Sequence, residues 1–249
     1  MEFLSGICRP EDMMFFGVGE YAVAFLGDGY EMIHSEEDID GCEQSACVCL
    51  VADGESLPDI ALLDRVLDRC KAQEVFVIIA NPAPPELIKA LKHKCSCILT
   101  IDKEDAAEAT VPLMNLIARI CTCPHLLDLD TAELRALFDP ARTVAHHTLW
   151  YEDIDPQAFA RDVNTLELDR HKWPTLVCVF LTAQDDWMEL GDLLAPLLAF
   201  MPEEGHHPLV WNVYHADQME ATGMRIDIVR SRPAPGTMQM LREINKQIH

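Results

Sequence analysis

The sequence predicts an α/β fold with a parallel-sheet N-terminal half and a smaller α+β C-terminal half. Residues 46–52 "ACVCLVA", 75–80 "VFVIIA" and 97–101 "CILTI" are short, wholly apolar runs, each followed by turn or helix-start residues. Amphipathic segments lie between them. Strands that are apolar on both faces and alternate with helices belong to a parallel sheet covered on both sides. The second half has a different rhythm of helices and strands, including one strand with strict apolar–polar alternation.

A first strand is expected at 13–19, "MMFFGVG", leading into a helix "EYAVAFL". This strand–Gly–helix order is where a doubly wound, Rossmann-like fold binds a phosphate. In "PDIALLDRVLDRCK", Ile60, Leu63, Val66, Leu67 and Cys70 recur at helical spacing, with Asp64, Arg65, Asp68 and Arg69 on the other side. "PPELIKALKHK" repeats that pattern more briefly. A long helix over about 103–120 closes this half, with Pro112 expected to kink it or delay its start.

After "DLDTAELRALF" the sequence predicts a helix at 155–168, a strand "TLVCVFLTA", a helix "DWMELGDLLAPLLAFM" and two strands, "PLVWNVYHA" and "GMRIDIVRS". In the last, Met224, Ile226 and Ile228 share one face and Arg225 and Asp227 the other, as in a strand with one wet face. "SRPAPG" reads as a linker and "TMQMLREINKQIH" as an amphipathic tail helix. The expected domains are 1–122, 123–231, and 232–249 for linker and tail.

Composition narrows the function. The chain has 249 residues, 49% of them hydrophobic, enough for a sizeable core, and a formal net charge of −23. That charge repels nucleic acid and anionic membrane surfaces, so the partners expected are proteins, cations or small molecules. The start "MEFLSGICRPEDMMFF" lacks a basic segment followed by a long apolar run, and no stretch approaches the roughly 20 apolar residues that span a bilayer. A cytoplasmic location is expected. The ten cysteines fall largely within apolar strand-like runs and read as reduced thiols.

The segment "ATVPLMNLIARICTCPHLLDLDTAELRALF" resembles the stretch of the bacterial division GTPase FtsZ, a relative of tubulin, in which a core helix runs into the catalytic loop P-G-L-I-N-x-D-F-A-D-V. Pro124, Leu126, Leu127, Asp130, Ala132 and Leu134 fall in line, with Asp128 at the Asn position and Glu133 at the second acid. "CILTIDKEDA" is similar to the FtsZ strand that ends in P-N-D. "LVWNVYHADQMEATGMRIDIVRS" is similar to its closing hairpin. The resemblance covers roughly 75–249 and implies a tubulin/FtsZ-like fold.

It also implies how a nucleotide would be held: by a glycine-rich loop after the first strand and a second loop of the form G-G-G-T-G-T-G. The matching places are "FFGVGEYAV", with Gly17 and Gly19, and "VADGESLPDIA", with Gly54 beside Asp53 and Glu55. Phosphate loops work because glycines let backbone N–H groups converge on an anion, and carboxylates there repel it. No cofactor is therefore expected, with GTP as the alternative.

In the family the catalytic acids act on the nucleotide of a neighbouring subunit, so Asp128, Asp130 and Glu133 are the candidate interface, and Asp130 and Glu133 the catalytic pair if hydrolysis persists. Alternatively, the two acids cap and stabilise the start of "TAELRALF". The resemblance thus implies a pseudo-GTPase that acts through self-association or by binding a genuine filament subunit, whose tail 237–248 could recruit partners.

Other readings remain open. A GTP-hydrolysing protein with an atypical site is one. A receiver-like signalling module is another, with Asp53 as its phosphorylated acid but no Lys following "VFVIIANP" in the needed place. The pairs Cys47/Cys49, Cys95/Cys97 and Cys121/Cys123, and His146/His147 and His206/His207 with Glu203 and Glu204, raise a metal or thiol site. C-x-C is shorter than usual metal spacing and Cys is a common core residue, so no metal is expected. No nucleophile motif supports hydrolase chemistry.

Overall fold

A computed structural model describes residues 8–27, 29–42, 45–125, 131–138, 142–152, 157–158, 161–162, 175–181, 209–215 and 223–232. They fall into two compact units. The parallel unit comprises the described parts of Cys8–Ala118, Asp130–Ala145 and Ser231–His249, and the mixed unit those of Arg119–Leu129 and His146–Arg230.

In the parallel unit the strands are β1 (Met13–Val18), β2 (Glu31–Ile33), β3 (Cys47–Asp53), β4 (Glu74–Ala80) and β5 (Cys97–Ile101). They hydrogen-bond in the order β2-β1-β3-β4-β5, all parallel. The start of β6 (Thr143–Tyr151) joins β5 through Thr100↔Thr143 and Ile101↔Val144. Every residue of β3 and β5 is buried, as an apolar run inside a covered parallel sheet requires.

The helices are α1 (Val23–Leu26), α2 (Leu57–Arg69), α3 (Pro85–Leu91), α4 (Ala106–Thr122) and α5 (Thr131–Leu137). Helix α2 buries Ile60, Leu63, Val66 and Leu67 in a core with Val48, Leu50, Val77 and Ile79, the stripe its sequence period specifies. Its outer face is tied to the segment between β2 and β3 by Arg65–Glu36 and Arg69–Asp40 ion pairs, and Lys94 bridges Asp64 and Asp68 at 2.7 Å.

Several expectations need correction. The segment after β1 forms only the single turn α1, since Gly27 at φ +72° ends it. Helix α4 begins at Ala106 and carries Pro112 in its second turn, so the proline did not delay the start. Strands β2 and β6 were not anticipated. In β6 the run "TVAHHTLWY" hides its β-character behind histidines and threonines, two of which, His146 and Thr148, bond to Asp227.

In the mixed unit, β7 (Thr175–Leu181) pairs β8 (Leu209–His215) in parallel and β9 (Met224–Arg232) antiparallel. The expected β8–β9 hairpin is not formed, because β7 lies between them. Nor is β9 wet on one face: Met224 through Ser231 are all buried, Arg225 and Asp227 included. The strand also runs to Arg232, into the segment read as a linker. Of the expected helix at 155–168, residues 157–158 and 161–162 are described and helical; the rest of it and the expected helices at "DWMELGDLLAPLLAFM" and in the tail lie outside the described residues.

Candidate functional site

A doubly wound sheet binds ligands beyond the carboxyl ends of its strands, at the point where the strand order reverses. In the order β2-β1-β3 that point lies between β1 and β3. The structure brings four of the sequence-predicted residues there: Gly17 and Gly19 at the end of β1, and Asp53 and Gly54 at the end of β3.

Each glycine has a packing reason. A Cβ at Gly17 would overlap the Met32 thioether and crowd Leu26, so the residue lets β2 and α1 close against β1. Gly19 has φ +85°, and a Cβ on it would collide with the carboxylate of Asp59. At Gly54 the added atom would overlap the carbonyl of Asn81 and approach Ala83 N at 2.8 Å. Asn81, at the end of β4, itself adopts φ +66°, a region where Asn is among the better-tolerated side chains.

Backbone donors of both loops are engaged within the chain at Gly19, Tyr21, Gly54, Glu55 and Ser56. Gly19 N–H donates to Ile33 O at 2.9 Å, and Gly54 N–H to Ala80 O at 2.7 Å. Glu55 N–H donates to Asp53 Oδ1 at 3.0 Å and Ser56 N–H to the Asp53 carbonyl at 3.2 Å. Ser56 caps α2 by accepting from Asp59 N–H at 3.3 Å. Asn81 Nδ2 donates to Asp53 Oδ1 at 2.8 Å.

Between the two loops stands Asp59, a residue the sequence analysis did not single out. It is buried in the first turn of α2, and its Oδ2 accepts from Tyr21 N–H at 3.2 Å. A carboxylate of the chain itself thus occupies the space that Gly19 and the α2 N-terminus enclose, where anions are favoured by backbone dipoles. The spacing Ser56-x-x-Asp59 is a helix-start signal, so the place of Asp59 in a first turn was legible. Its contact with the loop after β1, 38 residues away in sequence, was not.

At the rim of this site Lys103 Nζ donates to both carboxylate oxygens of Glu55 at 2.8 Å, which raises the ammonium pKa above its ordinary value. Lys103 follows β5, so a Lys does stand beyond a later strand end, paired to Glu55 rather than to Asp53.

Of the acidic-loop candidates, Asp128 and Asp130 lie outside the described residues. Glu133 is exposed in the first turn of α5. That helix is anchored by Arg135, which donates to Ser96 O and Cys95 O at 2.8 Å each.

The second polar cluster belongs to the mixed unit. Asp227 Oδ1 lies 2.8 Å from His146 Nε2 and accepts from Thr148 Oγ1 at 2.7 Å, while Arg225 Nε donates to Oδ2 at 2.6 Å. Burial opposes the charge on Asp227, but the hydrogen bonds from His146, Arg225 and Thr148 prevail and hold its pKa down at about 2. The Arg225 guanidinium lies over the Trp150 ring at 5.5 Å. His146 therefore serves a buried ion-pair network on a strand.

His206, His207, Glu203 and Glu204 lie outside the described residues, and among those described no group of three or more His, Cys, Asp or Glu is placed to hold a metal ion. Burial pushes the thiols of Cys95 and Cys97 up to about 12, and those of Cys49 and Cys178 well above their ordinary value. Such thiols stay protonated and weakly nucleophilic.

No protein-family model matches the sequence, and no curated protein matches it. By structure the chain is similar to CetZ2 from Haloferax volcanii in a GTPγS-bound protofilament, with TM-score 0.59, 11% identity and coverage of 95% of this chain and 99% of that one. It is also similar to the empty FtsZ dimer of M. jannaschii, with TM-score 0.50, 13% identity and coverage of 79% of this chain. CetZ from Methanosaeta thermophila gives TM-score 0.50 and 11% identity over 85% of this chain and 68% of that one. The chain spans 66% of the length of the M. jannaschii FtsZ, just under two thirds. With its parallel strand order, its mixed β7–β9 sheet and these structural likenesses, the chain has an FtsZ/tubulin-like fold.

Proposed function

We propose that this chain is a non-hydrolysing, FtsZ/tubulin-like protein, a pseudo-GTPase that acts through protein–protein assembly, by self-association or by regulating a filament-forming homologue. One observation carries the reading: the buried carboxylate of Asp59 sits against Gly19 and Tyr21 N–H, in the space between the loops that would cradle phosphate. A nucleotide phosphate there would meet the side chain of Asp59 and backbone donors already engaged by Ile33, Ala80 and Asp53.

The assembly half of the reading is supported by the likeness to a protein seen in a protofilament and by the acidic segment around Asp130 and Glu133, which would meet a partner. No cofactor is part of the proposal, and a cytoplasmic location accords with it. Among the described residues no helix is long and apolar enough to cross a membrane.

Calorimetry with GTP and with GDP, each with magnesium, joined to light scattering for assembly, tests the proposal. The expected result is no heat of binding up to millimolar nucleotide. Micromolar binding overturns it and makes Asp130 and Glu133 candidate catalytic residues, to be checked by turnover in Asp130→Ala.

The receiver-like reading is favoured by one feature, Asp53 at the carboxyl end of β3 with Lys103 beyond β5. Against it, Asp53 is buried and bonded to Asn81, and Lys103 is engaged by Glu55. Incubation with a small phosphoryl donor followed by intact mass measurement decides between them: a phosphate adduct lost in Asp53→Asn would favour the receiver.

A further inference from the structure

Two thiols meet where the parallel sheet begins. Cys47 is the first residue of β3, wholly buried and held in register between Met13 of β1 and Glu74 of β4. Cys8 stands just ahead of Pro10–Asp12, a single 3-10 turn that leads into β1, and is partly open to solvent. The Cys8 thiol lies within hydrogen-bonding reach of the Cys47 thiol, and both are free thiols.

The two sulfurs are held differently. Cys47 is fixed by strand pairing on either side, whereas the segment carrying Cys8 lies outside the sheet. That segment is fastened at Asp12, whose carbonyl accepts from Ala46 N–H at 3.1 Å and whose Oδ2 accepts from Arg9 Nε at 2.8 Å. Closing from contact to a covalent bond therefore moves Cys8 and leaves the sheet in place.

We propose that Cys8 and Cys47 form an oxidisable dithiol site, in which a small disulfide reacts at the solvent-facing Cys8 and Cys47 resolves the product into a Cys8–Cys47 disulfide. In the first step Cys8 gives its proton to water and bonds through Sγ to one sulfur of the small disulfide, while the other sulfur leaves and is protonated. Cys47 then gives up its proton and attacks Cys8 Sγ, and the second small thiol leaves and is protonated. Two protein thiols are oxidised and one small disulfide is reduced to two thiols. The new bond encloses β1, α1 and β2, with Gly17 and Gly19, in one covalent loop.

Burial, with Cys47 and Asp12 nearby, pushes the Cys8 thiol up to about 12, so little thiolate exists at neutral pH and the exchange is slow. Once made, the bond offers a reductant only its Cys8 sulfur, because Cys47 is wholly buried. The site thus answers sustained oxidation.

The test incubates the intact reduced protein with oxidised glutathione, alkylates the remaining thiols and digests after glutamate without reductant. Cleavage at Glu2, Glu11, Glu43 and Glu55 places Cys8 in peptide 3–11 and Cys47 with Cys49 in peptide 44–55. The expected product is these two peptides joined, with fragmentation at Val48 assigning the bond to Cys47. The thermal unfolding midpoint should rise by about 5 °C or more on oxidation, as closing a long loop in the unfolded chain implies. Cys8→Ser should lose both the linked peptide and the rise, while Cys70→Ser, which removes another partly exposed thiol, should keep both.

A glutathione adduct that persists unresolved on Cys8, a bond from Cys8 to Cys49 or to any other cysteine, or an unmodified Cys8 after prolonged oxidation overturns the proposal. None of these outcomes depends on nucleotide binding or assembly.

Discussion

Two buried aspartates show how differently the two units treat the same side chain. In the mixed unit Asp227 is met by a guanidinium, an imidazole and a hydroxyl, and its pKa falls to about 2. In the parallel unit Asp59 is met by the Tyr21 amide and the close approach of Gly19. The first is an ion-pair network that knits neighbouring strands. The second fills a space. A buried carboxylate therefore says little by itself, and its surroundings decide whether it holds strands together or displaces a ligand.

The sharpest way to break the comparison is Asp227→Ala. It leaves the Arg225 cation buried without its partner, so denaturant unfolding should show a loss of about 3–5 kcal/mol. A milder probe of the same network is pH. Because the folded pKa of Asp227 lies below its unfolded value, its contribution is complete above the unfolded pKa, near 3.8, and is lost as pH falls towards about 2. That contribution is on the order of 2 kcal/mol, and unfolding midpoints in the wild type should drop over this range while a variant lacking the carboxylate stays flatter.

Gly54→Ala is next in size. Its new Cβ meets the backbone of Asn81 and Ala83, which cannot swing aside, and a loss of about 1–3 kcal/mol is expected from overpacking. If the variant is as stable as the wild type, the β3–α2 turn is not held by the β4–α3 loop as described.

Asp59→Ala should cost about 1 kcal/mol, chiefly through the lost hydrogen bond from Tyr21 N–H, and should leave nucleotide affinity unmeasurable, because Gly19, Gly54 and Glu55 N–H remain bonded to their own chain. A gain of GTP binding in this variant would show that the carboxylate alone was the barrier, which sharpens the contrast with Asp227. Smallest is Lys103→Ala, which removes an exposed ion pair with Glu55 and should leave the unfolding midpoint essentially unchanged.

The sequence by itself determined the central strands and α2 of the parallel unit, though not β2. Runs such as "CVCLVAD" and "EVFVIIA", and the helical stripe Ile60, Leu63, Val66 and Leu67, can bury their apolar faces in essentially one arrangement, and the observed strands and α2 follow those boundaries within a residue or two. The loss of a glycine-rich cradle was legible for the same reason, since composition is local. What only the tertiary structure decided concerns polar residues whose partners are distant in the chain. Strand β6 and the buried face of β9 were hidden because His146, Thr148, Arg225 and Asp227 look solvent-facing until they meet one another. Asp59 likewise drew no notice in the sequence, and only the fold sets it against Gly19 and Tyr21. Apolar burial is written in spacing along the chain, whereas charge compensation depends on which strands become neighbours.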